Sequence, residues 1–377
     1  MVKVSVIVPA YNVSPYLREC MDSLVGQTLK EMEFICVNDG STDNTLEILH
    51  EYQKIDGRVK IIDKENGGYG KAMNIGLDAC TGEYVGILEP DDYVRTNMYQ
   101  ELYEKAVEND VDIIKADFYR FIHDENGKEI DHYHQLTNDP DGYNRVIDPY
   151  EEPIVFKYIM NTWSGIYKRS FLEKHHIRHN ETPGASFQDN GFWFQTFCFA
   201  KRIYFVDKPY YMNRRDNPNS SVHNKAKVFC MNDEYAYIHD FLDAHPKFKE
   251  RYIGVYSFKR YHNYVNSYKR VGEEFKDIYM ERFQKEMQEA NDLGELKEGC
   301  FTEREWKLIQ ILLENWKAYV WAEKLHCEML ELEAETRRLN EELDLLKHST
   351  TFKVGHAIMA VPCSVKESIK KAKNKHE

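Results

Sequence analysis

The first 116 residues alternate short apolar runs with longer amphipathic segments. The apolar runs, rich in Val and Ile, lie at residues 4–8, 33–37, 59–62, 84–88 and 111–114. Between them, apolar residues recur three and four positions apart, as at Leu17, Met21 and Leu24, which predicts helices. Strands that are apolar on both faces and are separated by helices are typical of a mostly parallel sheet with helices on both sides. The sequence therefore predicts an α/β fold.

The composition excludes several classes of protein. A hydrophobic content of 42% is too high for an intrinsically disordered chain. A net charge of −13 argues against a nucleic-acid partner, because nucleic-acid binding depends on positive charge. The eight cysteines are widely spaced and include no Cys-x-x-Cys pair, which favours a reducing compartment over a zinc site.

Nothing in the sequence indicates a signal peptide or a membrane-spanning helix. The apolar run at residues 4–8 stops at Pro9 and is too short for the core of a signal peptide. No stretch approaches the ~20 apolar residues that a spanning helix needs. We therefore expect a cytoplasmic protein.

The pattern changes along the rest of the chain. From about residue 117 it becomes irregular, and we expect this segment to extend the α/β domain to residue 225. Residues 226–317 predict a helical subdomain with many aromatic side chains. Residues 318–348 predict a single heptad helix, and residues 349–377 a short amphipathic and basic tail.

The predicted heptad helix carries apolar and small residues at alternating spacings of four and three, the pattern of a coiled coil. These positions are Ala318, Ala322, Leu325, Met329, Leu332, Thr336, Leu339, Leu343 and Leu346. Charged residues cover the opposite face. This favours a homodimer through residues 318–346 over the alternative, a long helix packed on its own domain.

The tail combines an apolar stretch at residues 352–362 with lysines at positions 366, 370, 371, 373 and 375. The stretch is too short to cross a bilayer, but it can lie in the interface of an anionic membrane, where each lysine adds about 1 kcal/mol. The alternatives are therefore peripheral attachment to the inner face of the cell membrane and a solvated tail.

Each of the first four predicted strands is followed directly by a polar cluster. The clusters are Pro9-Ala-Tyr-Asn12, Asn38-Asp-Gly-Ser-Thr-Asp43, Asn66-Gly-Gly-Tyr-Gly-Lys71 and Glu89-Pro-Asp-Asp92. Open α/β sheets bind ligands at the carboxyl ends of their strands. The sequence therefore predicts that the four clusters converge on one crevice.

The residue types in these clusters suit a nucleotide diphosphate. Tyr11 offers a flat face to a base, and Asp39 can accept a hydrogen bond from a base or a ribose. The backbone at Gly67 allows close approach, and Lys71 supplies positive charge near a phosphate. Each signal is weak alone, so the assignment depends on the clusters occurring together.

Asp91 and Asp92 are adjacent carboxylates at a strand end. Two such groups repel each other unless a cation lies between them. Mn²⁺ or Mg²⁺, held by one or two carboxylates and by diphosphate oxygens, would relieve that repulsion. The alternative is a solvated turn or a helix cap.

In order and spacing, the four clusters closely resemble the family 2 glycosyltransferases, which have the GT-A fold, a Rossmann-like and mostly parallel sheet with helices on both faces. The match is strong over about residues 2–116. The resemblance implies that Tyr11 and Asp39 contact uracil. It also implies that Asp91 reaches the ribose or the metal and that Asp92 coordinates the metal. Further cluster residues would bind the nucleotide-sugar: Pro9, Asn12, Ser41, Asn66, Gly67 and Lys71.

Residues 184–193 resemble the family segment that carries Glu-Asp before an aromatic helix, with the Asp as catalytic base. The resemblance assigns that role to Asp189, although Gln188 stands in place of the Glu. From the residues alone, Asp189 is equally a helix N-cap. A further departure is Glu89, which stands where many members have Asp and whose role is left open.

Residues 210–223 resemble the mobile loop that closes over the diphosphate. The resemblance implies that Arg214 or Arg215 contacts a phosphate. His223, in the same segment, is a candidate third metal ligand, with a surface residue as the alternative. Trp163 is a candidate platform for the acceptor, with a core residue as the alternative.

The resemblance implies an inverting transferase, which moves a hexosyl or N-acetylhexosaminyl group from a UDP-sugar to a hydroxyl of a glycan or a lipid-linked glycan, as in polysaccharide biosynthesis. Asp189 would take the proton of the acceptor hydroxyl, and the metal would stabilise the departing diphosphate. Two alternatives stay open. The first is a sugar-nucleotide pyrophosphorylase. Such an enzyme normally has its glycine-rich loop after the first strand, where this chain has residues 9–12 instead, which counts against it. The other is a non-catalytic coiled-coil scaffold with a degenerate transferase domain.

Overall fold

The computed structural model describes residues 1–185, 187–220, 225, 227–350 and 353–354. The chain divides into two compact units between Thr302 and Glu303. The domain boundaries predicted at residues 225 and 317 do not coincide with this division and stay predictions. Almost all of the predicted tail, residues 349–377, lies outside the described residues.

The first unit is built around a ten-stranded sheet. Its strands are β1 (Val4–Ala10), β2 (Met32–Asp39), β3 (Val59–Lys64), β4 (Tyr84–Ile87), β5 (Tyr93–Val94), β6 (Ile113–His123), β7 (Glu129–His134), β8 (Val146–Ile147), β9 (Gly165–Lys168) and β10 (Ile203–Arg214). The order across the sheet is β3-β2-β1-β4-β9-β6-β10-β5, with β7 paired to β6 and β8 to β10. β1 to β4 are parallel, as are β6 and β10, whereas β9 is antiparallel to β4 and β6. The predicted α/β fold with a mostly parallel sheet is confirmed.

Helices cover both sides of this sheet, and further helices follow it. They are α1 (Ser14–Val25), α2 (Thr45–Ile55), α3 (Tyr69–Ala79), α4 (Met98–Glu108), α5 (Arg169–Lys174), α6 (Asp189–Phe199), α7 (Cys230–Ala244), α8 (Pro246–Arg270) and α9 (Lys276–Asp292). Single 3₁₀ turns lie at Pro140–Gly142, Pro153–Lys157, Glu273–Phe275 and Glu298–Cys300. The predicted apolar face of α1, Leu17, Met21 and Leu24, is buried. None of the described helices is long and apolar enough to span a membrane.

The central strands are buried along their whole length, which explains their continuous apolar sequences. Every residue of β1 and β2 is buried. Because helices cover both faces of these parallel strands, the side chains on neither face meet solvent, and the strands do not need polar residues. The polar side chains that do occur are paired: Glu33 accepts hydrogen bonds from Ser5 Oγ at 2.5 Å and from the backbone N–H of Thr81 at 2.6 Å.

Helices α7, α8 and α9 pack on one another through aromatic side chains. The buried rings are those of Tyr235, Tyr252, Tyr256, Tyr261 and Tyr264. Many meet edge to face, as do Tyr235 and Tyr264, whose ring centroids are 5.8 Å apart. These tyrosines therefore form the core of the helical region.

The second unit contains α10 (Glu303–Glu314) and α11 (Trp316–His348). Helix α11 is continuous over 33 residues. Asn315 caps it, because its side-chain oxygen accepts hydrogen bonds from the backbone N–H groups of Lys317 and Ala318. The larger apolar side chains of the predicted heptad seam are 43% to 66% exposed: Leu325, Met329, Leu332, Leu339, Leu343 and Leu346.

The exposed seam predicts that two copies of this chain associate in parallel through α11. Leu occupies the d positions from residue 325 onward, and Leu at d favours two parallel strands. We expect Leu332→Lys to convert a dimer into a monomer, because it places two like charges in the seam. Leu330→Lys, on an exposed side chain outside the seam, should leave the dimer intact. Sedimentation equilibrium measures the mass, and a monomeric wild type would contradict the prediction.

Candidate active site

The loops after β1 and β2 are locked together by hydrogen bonds. Asn12 has a φ of 51°, in the left-handed region that Asn tolerates better than most residues. Its backbone N–H donates to Ser41 Oγ at 3.1 Å, and its side-chain oxygen accepts from the N–H of Thr42 at 2.7 Å. Pro9 is buried at the end of β1, whereas Tyr11 is 49% exposed. The ring of Tyr11 is therefore accessible to a ligand at the strand ends.

The carboxylate of Asp39 holds the glycine-rich loop after β3. It accepts hydrogen bonds from the N–H of Gly67 at 2.8 Å and of Gly68 at 2.9 Å. Lys64 forms an ion pair with the same carboxylate. The side chain of Asn66 donates to the backbone oxygen of Asp39 at 3.0 Å. The second and third polar clusters are thus in direct contact.

The glycine-rich loop also packs against the segment that precedes α6. Gly68 has a φ of 90°, and a Cβ there would lie 2.7 Å from the backbone nitrogen of Gly184. A Cβ on Gly70 would lie 1.9 Å from the carbonyl oxygen of Asn180. Glycine is required at both positions for this close approach. The next residue, Lys71, is exposed, so its charge is accessible to a ligand.

Asp92 joins the turn after β4 to the end of β10. Its carboxylate accepts hydrogen bonds from Tyr211 Oη at 2.7 Å, Asn213 Nδ2 at 3.0 Å and the N–H of Arg214 at 2.7 Å. Its side chain is buried, and burial together with the charge of Asp91 raises the pKa of Asp92 well above its usual range. Both oxygens of Asp92 are therefore occupied by protein donors.

Arg214 and Arg215 have different environments, although both were predicted phosphate contacts. Arg214 is buried, its Nε donates to the backbone oxygen of Asp91 at 2.9 Å, and its guanidinium pairs with Glu19 and Asp216. Its charge is therefore already matched within the protein. Arg215 is exposed.

Glu89 lies in the same crevice and forms hydrogen bonds with Tyr69 of α3 and Tyr211 of β10. Tyr69 Oη donates to Glu89 Oε1 at 2.7 Å, and the backbone N–H of Glu89 donates to Tyr211 Oη at 3.1 Å. Burial raises the pKa of Glu89 to about 8, and the charges of Asp91 and Asp189 act in the same direction. The neutral carboxyl form of Glu89 therefore persists at neutral pH.

Asp189 is the first residue of α6, so the N-cap position that the sequence offered it belongs instead to Gln188. A carboxylate in the first turn of a helix is stabilised by the helix dipole. Asn190 Nδ2 donates to Asp189 Oδ1 at 3.2 Å. Burial raises the pKa of Asp189 to about 6, against hydrogen bonds from its own N–H and from Asn190 that lower it. This value lies close to the pH at which a general base works best.

The helical region fixes the first turn of α6 through residues that carry no recognisable sequence signal. Glu234 of α7 is buried and accepts from the N–H of Gly191 at 2.9 Å and from Asn180 Nδ2 at 3.0 Å. Asn263 of α8 donates to Asn190 Oδ1 at 3.1 Å. Burial raises the pKa of Glu234 to about 7, above its usual range. The hydrogen bonds from Asn180 and Gly191 oppose this shift, and the charge of Asp189 adds to it.

Trp163 lies under the end of β10. Its ring stacks on Tyr211 with centroids 4.2 Å apart and meets the edge of Phe118 at 4.9 Å. The side chain is partly exposed. Trp163 therefore supports Tyr211, the residue that holds Asp92 and Glu89, and its role as an acceptor platform stays a prediction.

A divalent cation in this crevice would have few protein ligands. In the described part of the chain, no three His, Cys, Asp or Glu side chains are grouped so as to hold a metal ion. Mg²⁺ in nucleotide sites commonly takes one or two carboxylates and completes its shell with phosphate oxygens and water. Asp91 fits this requirement, because the only described hydrogen bond to its carboxylate is from Asn217 Nδ2, at 2.8 Å to Oδ2. His223 lies outside the described residues.

Related sequences are known. The family model described as "Glycosyl transferase family 2" matches residues 5–180. The chain is 31% identical over 229 residues to glycosyltransferase GlyG of Streptococcus pneumoniae. The aligned region covers 56% of this chain and 70% of GlyG. It is 36% identical over 220 residues to glycosyltransferase EpsJ of Bacillus subtilis, which covers 58% of this chain and 62% of EpsJ. The chain thus spans less than two thirds of the length of EpsJ.

Solved structures share the fold. Residues 1–349 of S. aureus TarS superpose with a TM-score of 0.62 and 21% identity, over 86% of this chain and 91% of the TarS segment. The same segment in complex with UDP-GlcNAc gives a TM-score of 0.61 and 20% identity, over 86% and 92% of the two chains. At these identities the likeness shows the fold alone, which is GT-A. Together with the coverage of GlyG, these findings show that the chain belongs to glycosyl transferase family 2.

Proposed function

We propose that the chain transfers a sugar, with inversion, from a UDP-sugar to a hydroxyl of a glycan or a lipid-linked glycan. The observation that carries this proposal is Asp189, a rigidly held carboxylate whose pKa is raised to about 6 and whose charge acts on Glu89 in the crevice. Family membership supports glycosyl transfer. A UDP-linked hexosyl or N-acetylhexosaminyl donor is supported by TarS, which was solved in complex with UDP-GlcNAc.

In the proposed reaction, Asp189 accepts the proton of the acceptor hydroxyl as that oxygen attacks the anomeric carbon. The new carbon–oxygen bond forms while the bond to the diphosphate breaks, and UDP leaves with the electron pair. This single displacement inverts the configuration of the anomeric carbon. A bound Mn²⁺ or Mg²⁺ would neutralise charge on the departing diphosphate.

The donor would lie across the loops that follow β1, β2 and β3. Tyr11 would stack on uracil, and Asp39 would accept a hydrogen bond from it, as the family resemblance implies. The exposed Lys71 would approach the diphosphate. The remaining residues would shape this pocket by their backbone and short side chains: Pro9, Asn12, Ser41, Asn66 and Gly67.

We assign the metal to Asp91 rather than to Asp92. Asp91 has an oxygen that accepts nothing from the described residues, whereas three donors occupy Asp92. Arg214 acts as a positioning residue for Asp91, whose backbone oxygen it binds. A lipid-linked acceptor would place the reaction at the inner face of the cell membrane, and attachment through residues 349–377 stays a prediction.

The direct test is UDP release from a panel of UDP-sugars in the presence of MnCl₂. We expect one donor to give release above the rate without protein, and the rate to rise when glycan acceptors are added. Pyrophosphate formation from UTP and a sugar 1-phosphate would indicate a pyrophosphorylase instead. A chain that binds UDP but turns over no donor would be a scaffold.

Asp189→Asn should lower kcat by about 10² to 10⁴-fold, because a general base contributes that much, and leave the Kd for UDP within about twofold. The wild-type kcat should fall as the pH drops below about 6, because the base is then protonated. UDP release and calorimetric titration measure the two quantities. Asp240→Asn, on an exposed residue of α7, is the charge-matched control. Full activity in Asp189→Asn would exclude this base.

Asp91→Ala and Asp92→Ala should separate metal binding from structure. In Asp91→Ala we expect the tightening of UDP binding by Mn²⁺ to fall by about tenfold or more, since even outer-shell changes cost that much. In Asp92→Ala we expect the free energy of unfolding to fall by about 1–3 kcal/mol, because buried donors lose their acceptor. Calorimetry with and without Mn²⁺ and urea unfolding measure these effects. If instead Asp92→Ala lost the effect of Mn²⁺ on UDP binding and Asp91→Ala lost stability, Asp92 would be the metal ligand.

Glu234→Ala should lower kcat about tenfold or more while the Kd for UDP stays unchanged, because small displacements of a catalytic group are costly. Glu234→Gln keeps an acceptor oxygen for the N–H of Gly191 and should recover part of the loss. Glu250→Ala, on an exposed side chain of α8, is the control. An equal loss in kcat and in UDP affinity would indicate general unfolding rather than positioning of Asp189.

A further inference from the structure

One face of the sheet next to Asp92 carries several cationic side chains. Two rows of cross-strand partners lie on it: Tyr211, Phe118 and His134 in the first, and Asn213, Arg120 and His132 in the second. Directly paired residues of neighbouring strands share a face. Arg215 lies directly after the end of β10, and its charge acts on Arg120. We call Arg120, His132, His134 and Arg215 the cationic face, whose positive charge at neutral pH is carried by the two arginines.

No described carboxylate is among the charges that shift the pKa of Arg120 or His134. Burial lowers the pKa of Arg120, and the charge of Arg215 adds to this effect. Burial lowers the pKa of His134, and the charges of Arg120, His132 and Arg215 lower it further. Every charge that acts on these two groups is therefore positive. In addition, Arg120 Nε is buried without a hydrogen-bond partner in the described structure, whereas buried donors are normally paired.

The acidic residues of the same hairpin lie on the opposite face. Asp131 pairs with Phe121, and Glu129 with His123, in the alternate register positions of β6 and β7. Side chains alternate between faces along a strand. Tyr93 Oη donates to Glu129 at 2.7 Å on that opposite face. The two strands thus separate their charges by face, and the cations are left without carboxylates.

An aromatic row connects the cationic face to the candidate active site. Trp163 stacks on Tyr211, whose hydroxyl donates to Asp92, and Trp163 also meets Phe118. Phe118 stacks on His134, with centroids 5.3 Å apart and ring planes at 11°. Aromatic rings beside cations provide both an apolar surface for a sugar ring and donors for an anion.

The cationic face lies on the side of the site away from the donor loops. Those loops follow β1, β2 and β3, which occupy one end of the sheet, whereas the face is formed by β6, β7 and β10, beyond β4 and β9. Arg214, the neighbour of Arg215, is already paired with Glu19 and Asp216. The position favours the acceptor over the diphosphate that the family resemblance implies for Arg215.

We propose, on the basis of the proposed function, that the cationic face is an acceptor subsite that binds an anionic group carried by the acceptor, either a phosphate or a carboxylate. Guanidinium groups bind both kinds of anion with paired hydrogen bonds. The acceptor class is therefore an acidic or phosphorylated glycan rather than a neutral one. Arg120 and Arg215 carry the anion, and Trp163 supports the adjoining sugar.

The test measures binding of glucose 6-phosphate, glucuronate and glucose to the full chain saturated with UDP, by calorimetric titration at low ionic strength. We expect at least one of the two acidic sugars to bind about tenfold more tightly than glucose, since charge-assisted hydrogen bonds are the stronger ones. In the double variant Arg120→Gln/Arg215→Gln this preference should fall to about twofold or less. The Kd for UDP should not change.

A double variant remote from the site controls for net charge. Lys54→Gln/Lys247→Gln removes two exposed charges on α2 and α8 and should keep the preference for acidic sugars. If the arginine double variant has a lowered unfolding temperature, the single variant Arg215→Gln replaces it in the test, because Arg215 is exposed. We expect this single variant to reduce the preference for acidic sugars about threefold.

Three outcomes would overturn the proposal: equal binding of all three sugars by the wild type, a preference that survives in the arginine variants, or a loss of UDP affinity in those variants, which would place the arginines at the donor. UDP release from UDP-sugars is measured separately. Failure of UDP release together with an intact anion preference would overturn the proposed function and leave the anion site standing.

Discussion

The hydrogen bonds of Asp92 connect the two halves of the site. A buried carboxylate costs several kcal/mol unless donors satisfy it, and here the end of β10 supplies all three donors. This pairing fixes the turn after β4, and with it Asp91, against the strand that carries Tyr211 and Arg214. Tyr211 in turn accepts from the N–H of Glu89 and stacks on Trp163. The crevice therefore depends on the hydrogen bonds of one carboxylate.

The charge of Asp189 acts on two neighbouring carboxyl groups, those of Glu89 and Glu234. The pKa values are raised to about 6 for Asp189, about 7 for Glu234 and about 8 for Glu89. Asp189 is therefore the first to lose its proton as the pH rises, and its charge then opposes ionisation of the other two. At neutral pH Glu89 is mostly protonated and Glu234 partly so, which reduces the negative charge around Asp189.

The fold and the proximity of the polar clusters could be predicted from the sequence because both depend on local patterns. Apolar runs predicted the buried strands, and polar residues directly after them had to meet at one edge of a parallel sheet. The hydrogen bonds that hold Asp92 could not be predicted, because their donors belong to β10 and lie more than a hundred positions away. The same holds for Glu234, which reaches Gly191 from α7, and for Arg214, whose charge Glu19 neutralises.

Net charge is a poor guide to the partners of such a chain. The overall charge of −13 argues against nucleic acid, yet it averages over surfaces much farther apart than the screening length of about 8–10 Å. Locally, the charge of Arg215 lowers the pKa of Arg120, and the charges of both arginines lower that of His134, with no carboxylate among the charges acting on them. Strand alternation produces this separation, since it directs the acids of the β6–β7 hairpin to the opposite face. An acidic protein can therefore present a local positive field to an anionic acceptor while repelling polyanions elsewhere on its surface.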